Sequence, residues 1–418
     1  YGNVIKTGLT GRGLSGRLTQ SGYDPQGRFA TRLTNALDQQ EHREYDARFG
    51  VMTRLTGPNG LETTWSYDSF GRKTAEQRAD GTQTTWSRNW VRSCKAPHPE
   101  AIWCLRVKAD GAGLANTQFD KYGREVRKVA TSFDGRYSLV DKQYDRLGRQ
   151  THASQPYFED SQPSWTISEY DALDRVVKVT TPGPRGYRIS VTTEYAGMAT
   201  TVTNPKGERK TTTTDVLGRV LKVVELLGAT VAYDYDAVGN LVKTVDPKGA
   251  ITTLSYNVLG HKTAMNDPAM GAWRYGYNAA GELTSQIDAK GQKTRMTYDA
   301  LGRLVSRHDA EGTSTWQYDT APNGVGKLAK VSSQNAFSRE HRYDSKGRPS
   351  ETQTRIDGKT FSQQVEYDAV SRVATVKHPM GFQVKHDYNE HGYLLAVKSP
   401  KGLIQDYERR HIQGLMTK

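Results

Sequence analysis

The sequence predicts an all-β protein built from tandem β-hairpins. Three observations predict this fold class: a motif that returns about every 21 residues, a second turn signal halfway between successive motifs, and β-branched runs of strand length between the turns. The composition agrees, because 23 Tyr, 40 Gly and an apolar fraction of 35% are typical of strands and tight turns. Each repeat is therefore predicted to form one hairpin.

The repeated motif is Tyr-Asp-x-x-Gly-Arg. It is complete at Tyr23–Arg28, Tyr67–Arg72, Tyr144–Arg149, Tyr298–Arg303 and Tyr343–Arg348, and it recurs with substitutions elsewhere. From residue 214 to residue 298 the spacing is 21 residues four times in succession. The residues predicted to shape these turns are Tyr23, Asp24, Gly27, Arg28, Tyr67, Asp68, Gly71, Arg72, Tyr144, Asp145, Gly148, Arg149, Tyr235, Asp236, Gly239, Tyr298, Asp299, Gly302, Arg303, Tyr343, Asp344, Gly347 and Arg348.

Each motif residue has a predicted structural role. Tyr ends the incoming strand and shares a face with the residue two positions earlier, as Tyr67 does with Trp65, so we expect a largely aromatic ladder across the strands. Asp caps the turn, Gly supplies a positive φ, and Arg begins the next strand within reach of a neighbouring carboxylate. These roles are structural rather than catalytic.

A second set of turns lies between the motifs. Asp, Asn or Ser stands first, Pro is frequent in second place and Gly stands fourth, which favours a type I turn because the first side chain caps the backbone and Pro pre-sets φ. Strand-length runs such as Leu241–Val245 and Ile251–Tyr256 separate the two kinds of turn. The clearest second turns are Asn204–Gly207, Asp246–Gly249, Asp288–Gly291 and Ser399–Gly402.

An irregular segment interrupts the repeats between Tyr67 and Phe119. These two motif positions are 52 residues apart, about ten more than two repeat lengths. We therefore place an insertion around residues 86–113. Three tryptophans are expected to lie in this insertion, outside the regular strands: Trp86, Trp90 and Trp103.

The insertion contains both cysteines of the chain, Cys94 and Cys104. A disulfide between them is the preferred interpretation; it would stabilise the fold by about 3 kcal/mol in the entropic account and would imply an oxidising compartment. Two free cysteines are one alternative. A metal site that adds His98 is the other, but it lacks a fourth ligand at zinc spacing.

No active site is recognisable in the sequence. Tyr318–Lys327 is Gly-rich, yet a strand is predicted over Leu328–Ser332 where a phosphate-binding loop needs a helix, so an extended hairpin turn is expected there. The ten histidines are scattered and form no convincing triad or metal-ligand set. We predict no catalytic residue, no cofactor and no metal ion.

The net charge of +13 would ordinarily suggest nucleic acid or an anionic surface as a partner. Much of the basic excess, however, occupies the last place of the motif and is therefore built into the repeat. We predict no specific nucleic-acid partner. The most apolar run, Val220–Tyr233, is interrupted by charged residues, so no membrane-spanning segment is predicted.

The motif series resembles the YD-repeat, or Rhs-repeat, family, which includes the shells of bacterial polymorphic toxins and Tc toxins and, more distantly, teneurins. The resemblance extends over nearly the whole chain. It implies one continuous antiparallel β-sheet that spirals into a shell or part of one. Geometry is compatible, since about forty strands at ~4.8 Å give ~190 Å of sheet and open sheets rarely exceed ~10 strands without curling. A β-propeller is the rival fold.

The resemblance also implies a function. Residues 1–418 are expected to form a single repeat array within a longer chain, secreted or at the bacterial cell surface, whose wall encloses a C-terminal effector segment by steric closure. Secretion-system or cell-surface proteins are further expected partners. The alternative is an extracellular adhesion or glycan-binding scaffold in which exposed Tyr and Trp stack on sugars. Activity as an enzyme is not expected.

Overall fold

The computed structural model describes residues 2–406 apart from Arg12 and Ser15, and it is an all-β structure. Its 37 strands belong to one antiparallel sheet in which neighbours along the chain pair with each other. The predicted continuous antiparallel sheet is confirmed, and the β-propeller alternative is wrong because the sheet is not divided into blades. None of the described residues belongs to a helix with the length and apolar character needed to cross a membrane.

The strands have the following bounds. Strands β1 to β12 are Lys6–Leu9, Arg17–Tyr23, Ala30–Thr34, Gln40–Asp46, Val51–Thr56, Glu62–Tyr67, Lys73–Gln77, Gln83–Trp90, Trp103–Ala109, Ala115–Phe119, Glu125–Thr131 and Tyr137–Tyr144. Strands β13 to β24 are Gln150–Ser154, Tyr157–Phe158, Trp165–Tyr170, Val176–Pro182, Arg188–Ala196, Ala199–Thr203, Arg209–Thr214, Val220–Val224, Thr230–Tyr235, Leu241–Val245, Ile251–Tyr256 and Lys262–Asp267.

Strands β25 to β37 complete the sheet. They are Gly271–Tyr277, Leu283–Ile287, Lys293–Tyr298, Leu304–Asp309, Gly312–Tyr318, Leu328–Ser333, Ser338–Tyr343, Pro349–Ile356, Lys359–Tyr367, Val373–Lys377, Gln383–Tyr388, Leu394–Ser399 and Gly402–Asp406. Short 3₁₀ turns occur at Val91–Ser93, Pro184–Gly186 and Pro379–Gly381.

The two kinds of turn alternate between the two rims of the sheet. At a motif turn such as Asp68–Arg72, the Asp68 N–H donates to the Arg72 carbonyl (2.9 Å) and the Gly71 N–H donates to the Asp68 carbonyl (3.0 Å). Gly71 has φ 73°, and the register shifts by one residue at Tyr67, which is a β-bulge. Second turns such as Asn204–Glu208 have the same hydrogen bonds. We call the two edges the motif rim and the second-turn rim.

One strand of the sheet is divided in two. β13 pairs with the end of β12 through Lys142 and Ala153, and β14 continues along the same edge of β12 through Leu139 and Tyr157. The next strand, β15, pairs with β13 alone. The 37 strands therefore occupy 36 columns of the sheet.

The sheet coils until its two rims meet. Lys346, in the turn after β31, donates to the Asp80 carbonyl in the turn after β7, and Arg372, after β33, donates to the Gly111 carbonyl, after β9. With β13 and β14 counted as one, each pair is 23 columns apart, so 36 columns make about one and a half circuits. At ~4.8 Å per column, one circuit is ~110 Å around and ~35 Å across, and strand tilt widens it.

Buried side chains are concentrated in one sector of this wall. Val126, Val129, Leu139 and Cys104 are almost completely buried there. In contrast, every residue between 159 and 323 whose burial is described is at least partly exposed. Most of the wall is thus a single layer with two open faces, and among residues 2–406 that are described, only the sector around β9 to β14 has a second layer.

Candidate functional site

The aspartate of each motif closes its own turn. Asp215 Oδ1 accepts hydrogen bonds from the backbone N–H groups of Leu217 and Arg219 (both 2.9 Å), and Oδ2 accepts one from Arg219 Nε (2.6 Å). A short acceptor side chain satisfies turn amides that the strands cannot pair. The same three bonds are made by Asp68, Asp120, Asp145, Asp171, Asp299, Asp344 and Asp368.

In seven motifs the arginine reaches the tyrosine of the next motif. The Arg219 guanidinium lies 5.1 Å from the centre of the Tyr235 ring. Such a cation–π contact contributes about 0.5–1 kcal/mol at an exposed site. The arginine thereby ties its own Asp to the following repeat, and the same contact joins Arg124 to Tyr144, Arg149 to Tyr170, Arg175 to Tyr195, Arg303 to Tyr318, Arg348 to Tyr367 and Arg372 to Tyr388.

The tyrosine of most motifs also ties neighbouring strands together, because its hydroxyl donates to a backbone carbonyl. Tyr235 Oη donates to the Val220 carbonyl, 15 residues earlier, at 3.0 Å. This bond satisfies the polar tip of a ring whose body packs on the sheet. Equivalent bonds run from Tyr67 to Met52, Tyr277 to Lys262, Tyr298 to Leu283, Tyr343 to Leu328 and Tyr388 to Val373.

The predicted ladder of stacked aromatic rings is therefore wrong, because successive motif tyrosines do not stack on one another. Successive motif tyrosines are two columns apart, about 9.6 Å, whereas stacked rings need centroids within about 7 Å. A guanidinium fills this gap, as Arg303 does 4.3 Å from the Tyr318 ring centre. In these seven steps the ladder alternates arginine with tyrosine.

The motif arginines are internal counter-ions rather than a free basic stripe. Backbone N–H groups and the guanidinium of Arg175 hold the pKa of Asp171 below its ordinary value, and Arg48 lowers the pKa of Asp46 to about 2 through hydrogen bonds. These aspartates are ionised at neutral pH, so each motif arginine faces a full negative charge in its own turn. The positive charge of the motif arginines is therefore paired with carboxylates inside the wall.

The three tryptophans near the insertion lie in strands, so their expected place outside the regular strands was wrong. Trp86 and Trp90 belong to β8 and Trp103 to β9, with Trp90 opposite Trp103 in the antiparallel register. The hairpin continues because these bulky residues pair across it. Residues 91–102 are the irregular segment between β8 and β9, and we call them the cap segment.

The cap segment folds over one face of the sheet. Gln118, which is fully buried, donates to the carbonyls of Lys95 (2.8 Å) and Ala96 (3.0 Å), and its Oε1 accepts from the backbone N–H of His98 (2.7 Å). Arg127 donates to the Ala96 carbonyl from the neighbouring strand at 3.0 Å. These bonds hold a loop without regular structure as a second layer.

Cys94 and Cys104 form a disulfide that fixes the cap segment to β9. Their Cα atoms are 6.3 Å apart, and both side chains are buried. Both sulfurs are used in this bond, so the structure has neither the two free cysteines nor the thiolate ligands of the alternative metal site. His98 is half-buried, and burial lowers its pKa.

A buried ion pair lies beneath the cap segment. Arg127 binds both carboxylate oxygens of Asp141 (2.6 and 2.7 Å), and Tyr157 donates to Asp141 Oδ2 at 2.5 Å. Burial alone would raise the pKa of Asp141, yet the hydrogen bonds from Arg127 and Tyr157 bring it below its ordinary value. Burial and Asp141 raise the pKa of Tyr157 to about 12. Each charged group in this buried cluster is therefore paired with a group of opposite charge.

Where the coiled wall meets itself, motif turns of the second circuit contact second turns of the first. We call this contact the seam. It begins where both guanidinium nitrogens of Arg17 bind the Glu282 carboxylate (2.8 Å each), which holds the pKa of Glu282 below its ordinary value. It continues at Asn59, whose side chain exchanges two hydrogen bonds of 2.9 Å with the backbone of Val325.

Further along the seam, the first circuit offers mainly backbone groups. The Phe133 carbonyl accepts from Asn389 Nδ2 (2.8 Å), and the Thr131 carbonyl accepts from Tyr393 Oη (2.9 Å). The Gly113 N–H donates to the His391 carbonyl (2.9 Å). Together with Lys346 and Arg372, these contacts join the circuits at regular intervals.

The long turn between β29 and β30 belongs to this seam. The Asp319 N–H donates to the Lys327 carbonyl (2.9 Å), which closes a hairpin, and the following residues form the strand Leu328–Ser333. Arg303 binds both oxygens of Asp319 (3.0 and 2.6 Å). The Gly-rich turn presents Val325 to the first circuit instead of forming a phosphate loop.

The turn residues named from the sequence are spread along the motif rim rather than gathered in a pocket. Tyr67, Tyr235 and Tyr298 each end a strand, and each opens a motif turn. Sequence reasoning missed the seam residues Arg17 and Asn59, because nothing local marks a contact more than 250 residues away. Among the described residues, no three His, Cys, Asp or Glu side chains are grouped so as to hold a metal ion.

Comparisons with known proteins agree with this geometry. The family model described as RHS Repeat matches residues 48–83, 211–251, 235–269, 277–314 and 298–321. No curated protein matches the chain.

Two solved structures are similar to this chain in fold. The crystal structure of TcdB2-TccC3 matches with a TM-score of 0.55 and 14% identity, over 98% of this chain and 28% of that chain. A structure of the Photorhabdus luminescens Tc holotoxin pore with a mutation in TccC3 matches with a TM-score of 0.57 and 12% identity, over 96% of this chain and 28% of that chain. This chain thus spans little more than a quarter of either structure.

Proposed function

We propose that this chain, which belongs to the Rhs-repeat family, is a wall segment of a toxin shell that encloses another polypeptide segment. The seam is the observation that carries the proposal. A sheet that only curved would leave an open trough, whereas a sheet whose rims bind each other surrounds a space. Arg17 with Glu282 and Asn59 with Val325 are the pairs that make the wall continuous.

The dimensions suit an enclosed polypeptide. A circuit ~35 Å across at the backbone leaves a lumen wider than one extended chain or helix of ~10 Å. The function is steric and needs no bond-making residue. We propose an effector segment of a longer parent chain as the cargo and residues 1–418 as one repeat array, secreted or at the cell surface, where the Cys94–Cys104 disulfide is stable.

A cross-linking experiment tests closure of the wall. Asn59→Cys with Val325→Cys places two thiols across the seam, where a short bismaleimide is expected to join them in the folded chain. Asn59→Cys with Val216→Cys is the matched control, because Val216 lies on an exposed turn outside the seam. Equal cross-linking of both pairs, or of neither, would contradict a closed circuit.

Enclosure is tested in the parent protein that contains these repeats. A cryo-EM map is expected to show a closed wall with density inside it, and the enclosed segment is expected to resist protease. Arg17→Ala with Asn59→Ala and Arg372→Ala removes seam bonds, so protease should then reach the segment faster. An empty lumen would contradict the proposal. So would equal protease resistance of the enclosed segment in the parent protein and in the seam variant.

A second candidate function is glycan binding, favoured by one observation. Trp90 is 67% exposed at the end of β8, where large aromatic side chains are usually covered. It opens onto a concavity of about 540 Å³ lined by Arg72, Arg88, Asn89, Trp90, Ser93 and Trp103. An exposed indole beside guanidinium groups suits a sugar ring that carries a carboxylate.

Calorimetry with acidic oligosaccharides tests this second candidate. Binding is expected to weaken at least tenfold in Trp90→Ala. Trp273→Ala, in β25 far from the concavity along the sheet, is the matched control and should leave binding unchanged. No measurable binding by the parent chain would exclude the glycan site.

A further inference from the structure

One motif turn in the seam ends in an acidic residue where the motif has arginine. In the regular motif this last residue bridges two repeats, because Arg219 binds Asp215 in its own turn and its Nη1 donates to the Asp236 carbonyl that opens the next turn (3.4 Å). The turn Asn278–Glu282 ends in a carboxylate instead. It therefore has no motif arginine of its own to reach the following turn.

Arg17, from the first circuit, supplies the missing guanidinium. Its two terminal nitrogens bind the two Glu282 oxygens at 2.8 Å each, and Nη2 also donates to the Asp299 carbonyl at 2.9 Å. Asp299 opens the next motif turn, so Arg17 makes across the seam the bond that Arg219 makes to the next turn of its own circuit. The side chains of Arg17 and Glu282 are only 16% and 14% exposed, so each serves as the counter-ion of the other.

The turn before Arg17 also fits this place in shape. Gly11 lies against Ala279, and a Cβ at position 11 would overlap the Ala279 side chain. A coil shifted toward the preceding repeat would bring Val258 to the place of Ala279, because the two residues hold the same motif position. Valine adds two methyl groups to a contact with little free space, so shape as well as charge favours the observed register.

The other polar contacts of the seam bind without selecting a particular repeat. Arg372 and Asn389 each donate to a backbone carbonyl of a second turn. Where side chains meet across the seam there, the donor is neutral, as at Gln39 and Ser371. Every second turn offers backbone carbonyls, so bonds of this kind would form again in a coil shifted by one repeat.

The ion pair, in contrast, would not survive such a shift. Among the described residues, the pair of Arg17 and Glu282 is the one salt bridge that joins the two circuits. A shift by one repeat would bring Arg17 to the turn that ends in Arg303 or to the turn that ends in His261, and neither ends in a carboxylate. Two buried charges would then lose their partners. A buried ion pair adds little net stability, but its best-attested use is to specify register.

We propose that Arg17 and Glu282 set the register in which the second circuit lies on the first. A shift of one repeat changes the circuit by two columns, ~10 Å of circumference, so the same pair also sets the width of the lumen. The inference rests on the proposed closure of the wall and deepens it. It does not depend on what the wall encloses.

Disulfide trapping in the parent protein that contains these repeats measures the register. Asn59→Cys with Val325→Cys reports the observed register, because these residues are hydrogen-bonded across the seam. Asp80→Cys with Val325→Cys reports a shift in one direction, and Asn59→Cys with Val370→Cys reports a shift in the other. In the observed register each of these two pairs is about one repeat, ~10 Å, further apart, which is beyond the reach of a disulfide.

Substitutions at Glu282 are expected to release the register. Glu282→Arg restores the motif arginine and sets a second cation against Arg17, so a shifted pair should form and the ratio of observed to shifted pairs should fall roughly tenfold, the equivalent of about 1.4 kcal/mol. Arg17→Glu combined with Glu282→Arg restores opposite charges and should recover the original ratio. Glu44→Arg is the matched control, because Glu44 pairs with Arg54 inside one circuit and should leave the ratio unchanged.

An unchanged ratio in Glu282→Arg, or no recovery in the charge-reversed variant, would overturn the inference. Glu282→Gln repeats the test with a side chain of the same size and no charge, which covers the case that Glu282→Arg does not fold. It too should form a shifted pair, and the observed pair alone would overturn the inference. Absence of the observed pair in the parent protein with Glu282 intact would overturn both the register and the closed wall. An empty lumen with the observed pair present would overturn the proposed enclosure alone.

Discussion

The sector from Trp103 to Phe158 and the sector from Thr214 to Arg303 belong to one sheet but differ in what covers their strands. We call them the capped sector and the regular sector. The capped sector has a second layer, with Val129 and Leu139 almost fully buried beneath the cap segment. The regular sector has 21-residue repeats, and none of its described side chains is buried.

The difference shows two ways of stabilising the same strand arrangement. Burial stabilises the capped sector through the hydrophobic effect, which needs two layers. The regular sector depends on bonds that return with each repeat: the Asp cap, the Arg–Tyr contact and the tyrosine hydroxyl bond. Each such bond is weak, and their sum grows with the number of repeats, as in other repeat proteins. The capped sector should therefore be sensitive to single substitutions and the regular sector tolerant.

The largest single effect is expected from Asp141→Ala. Arg127 and Asp141 are only 12% and 6% exposed, so removing the carboxylate leaves a buried guanidinium without its partner. Breaking a buried ion pair costs roughly 3–5 kcal/mol of unfolding free energy. Urea denaturation measures the change. Asp215→Ala, the same substitution at an exposed turn of the regular sector, should cost clearly less, and equal costs would remove the distinction between the sectors.

Leu139→Ala and Leu217→Ala compare the sectors with one substitution. Leu139 is 2% exposed and Leu217 is 74% exposed. Truncating a buried leucine costs roughly 2–5 kcal/mol, whereas an exposed one usually changes stability by less than about 0.5 kcal/mol. The measurement is the urea midpoint of each variant at one protein concentration. A large loss in Leu217→Ala would mean that its rim is covered in solution.

Removing the disulfide should have an intermediate effect. Cys94→Ala with Cys104→Ala opens a loop with a sequence separation of 10, which costs about 3 kcal/mol in the chain-entropy account. Hydrogen exchange is expected to rise in the cap segment and in β9 to β12. The regular sector is the internal control. If its exchange rises equally, the cap segment stabilises the whole wall rather than its own sector.

Much of this fold follows from the sequence because its determinants are local. Asp68 and Gly71 specify a turn from a few adjacent residues, and the runs between turns specify strands. Each further repeat then forms the same turns and strands from the same adjacent residues. Curling of the sheet also follows from strand number alone.

Other features depend on distances that no local pattern encodes. The Arg219–Tyr235 contact depends on the spacing of strands that are two columns apart, so spacing within one strand suggested an aromatic ladder instead. The seam depends on twist accumulated over 23 columns, and a small change per strand would bring a different residue opposite Arg17. Strand continuation through Trp90 depends on its partner Trp103, beyond an irregular loop.

A smaller effect is expected from Arg219→Lys in the regular sector. Lysine keeps the charge but loses the planar group that binds Asp215 and lies over Tyr235. We expect a cost of about 1 kcal/mol or less, seen as faster hydrogen exchange in residues 214–240. Arg88→Lys, in β8 outside any motif, is the control. Equal exchange in both variants would mean that the ladder contributes no stability.

The smallest expected effect per residue is the loss of stability of the aspartate-capped turns in acid. It is also the effect that best distinguishes one kind of turn from another. In the folded chain, hydrogen bonds hold the pKa of Asp171 below its ordinary value, and that of Asp46 is about 2. The unfolded chain therefore binds more protons below its aspartate pKa of about 3.9, so the contribution of these turns to stability is complete above that pH and is lost as pH falls toward about 2.

The chain contains its own control for this acid effect. Asn257 caps its turn as the aspartates do, with a side-chain oxygen that accepts two backbone N–H bonds, but asparagine does not titrate. Hydrogen exchange at pH 3, corrected with unstructured peptides, should show that the turns capped by Asp215 and Asp236, whose pKa values lie below the ordinary value, open before the turn capped by Asn257. Simultaneous opening of both classes would mean that the regular sector responds to acid as one cooperative unit, and that its stability is not a sum of independent turns.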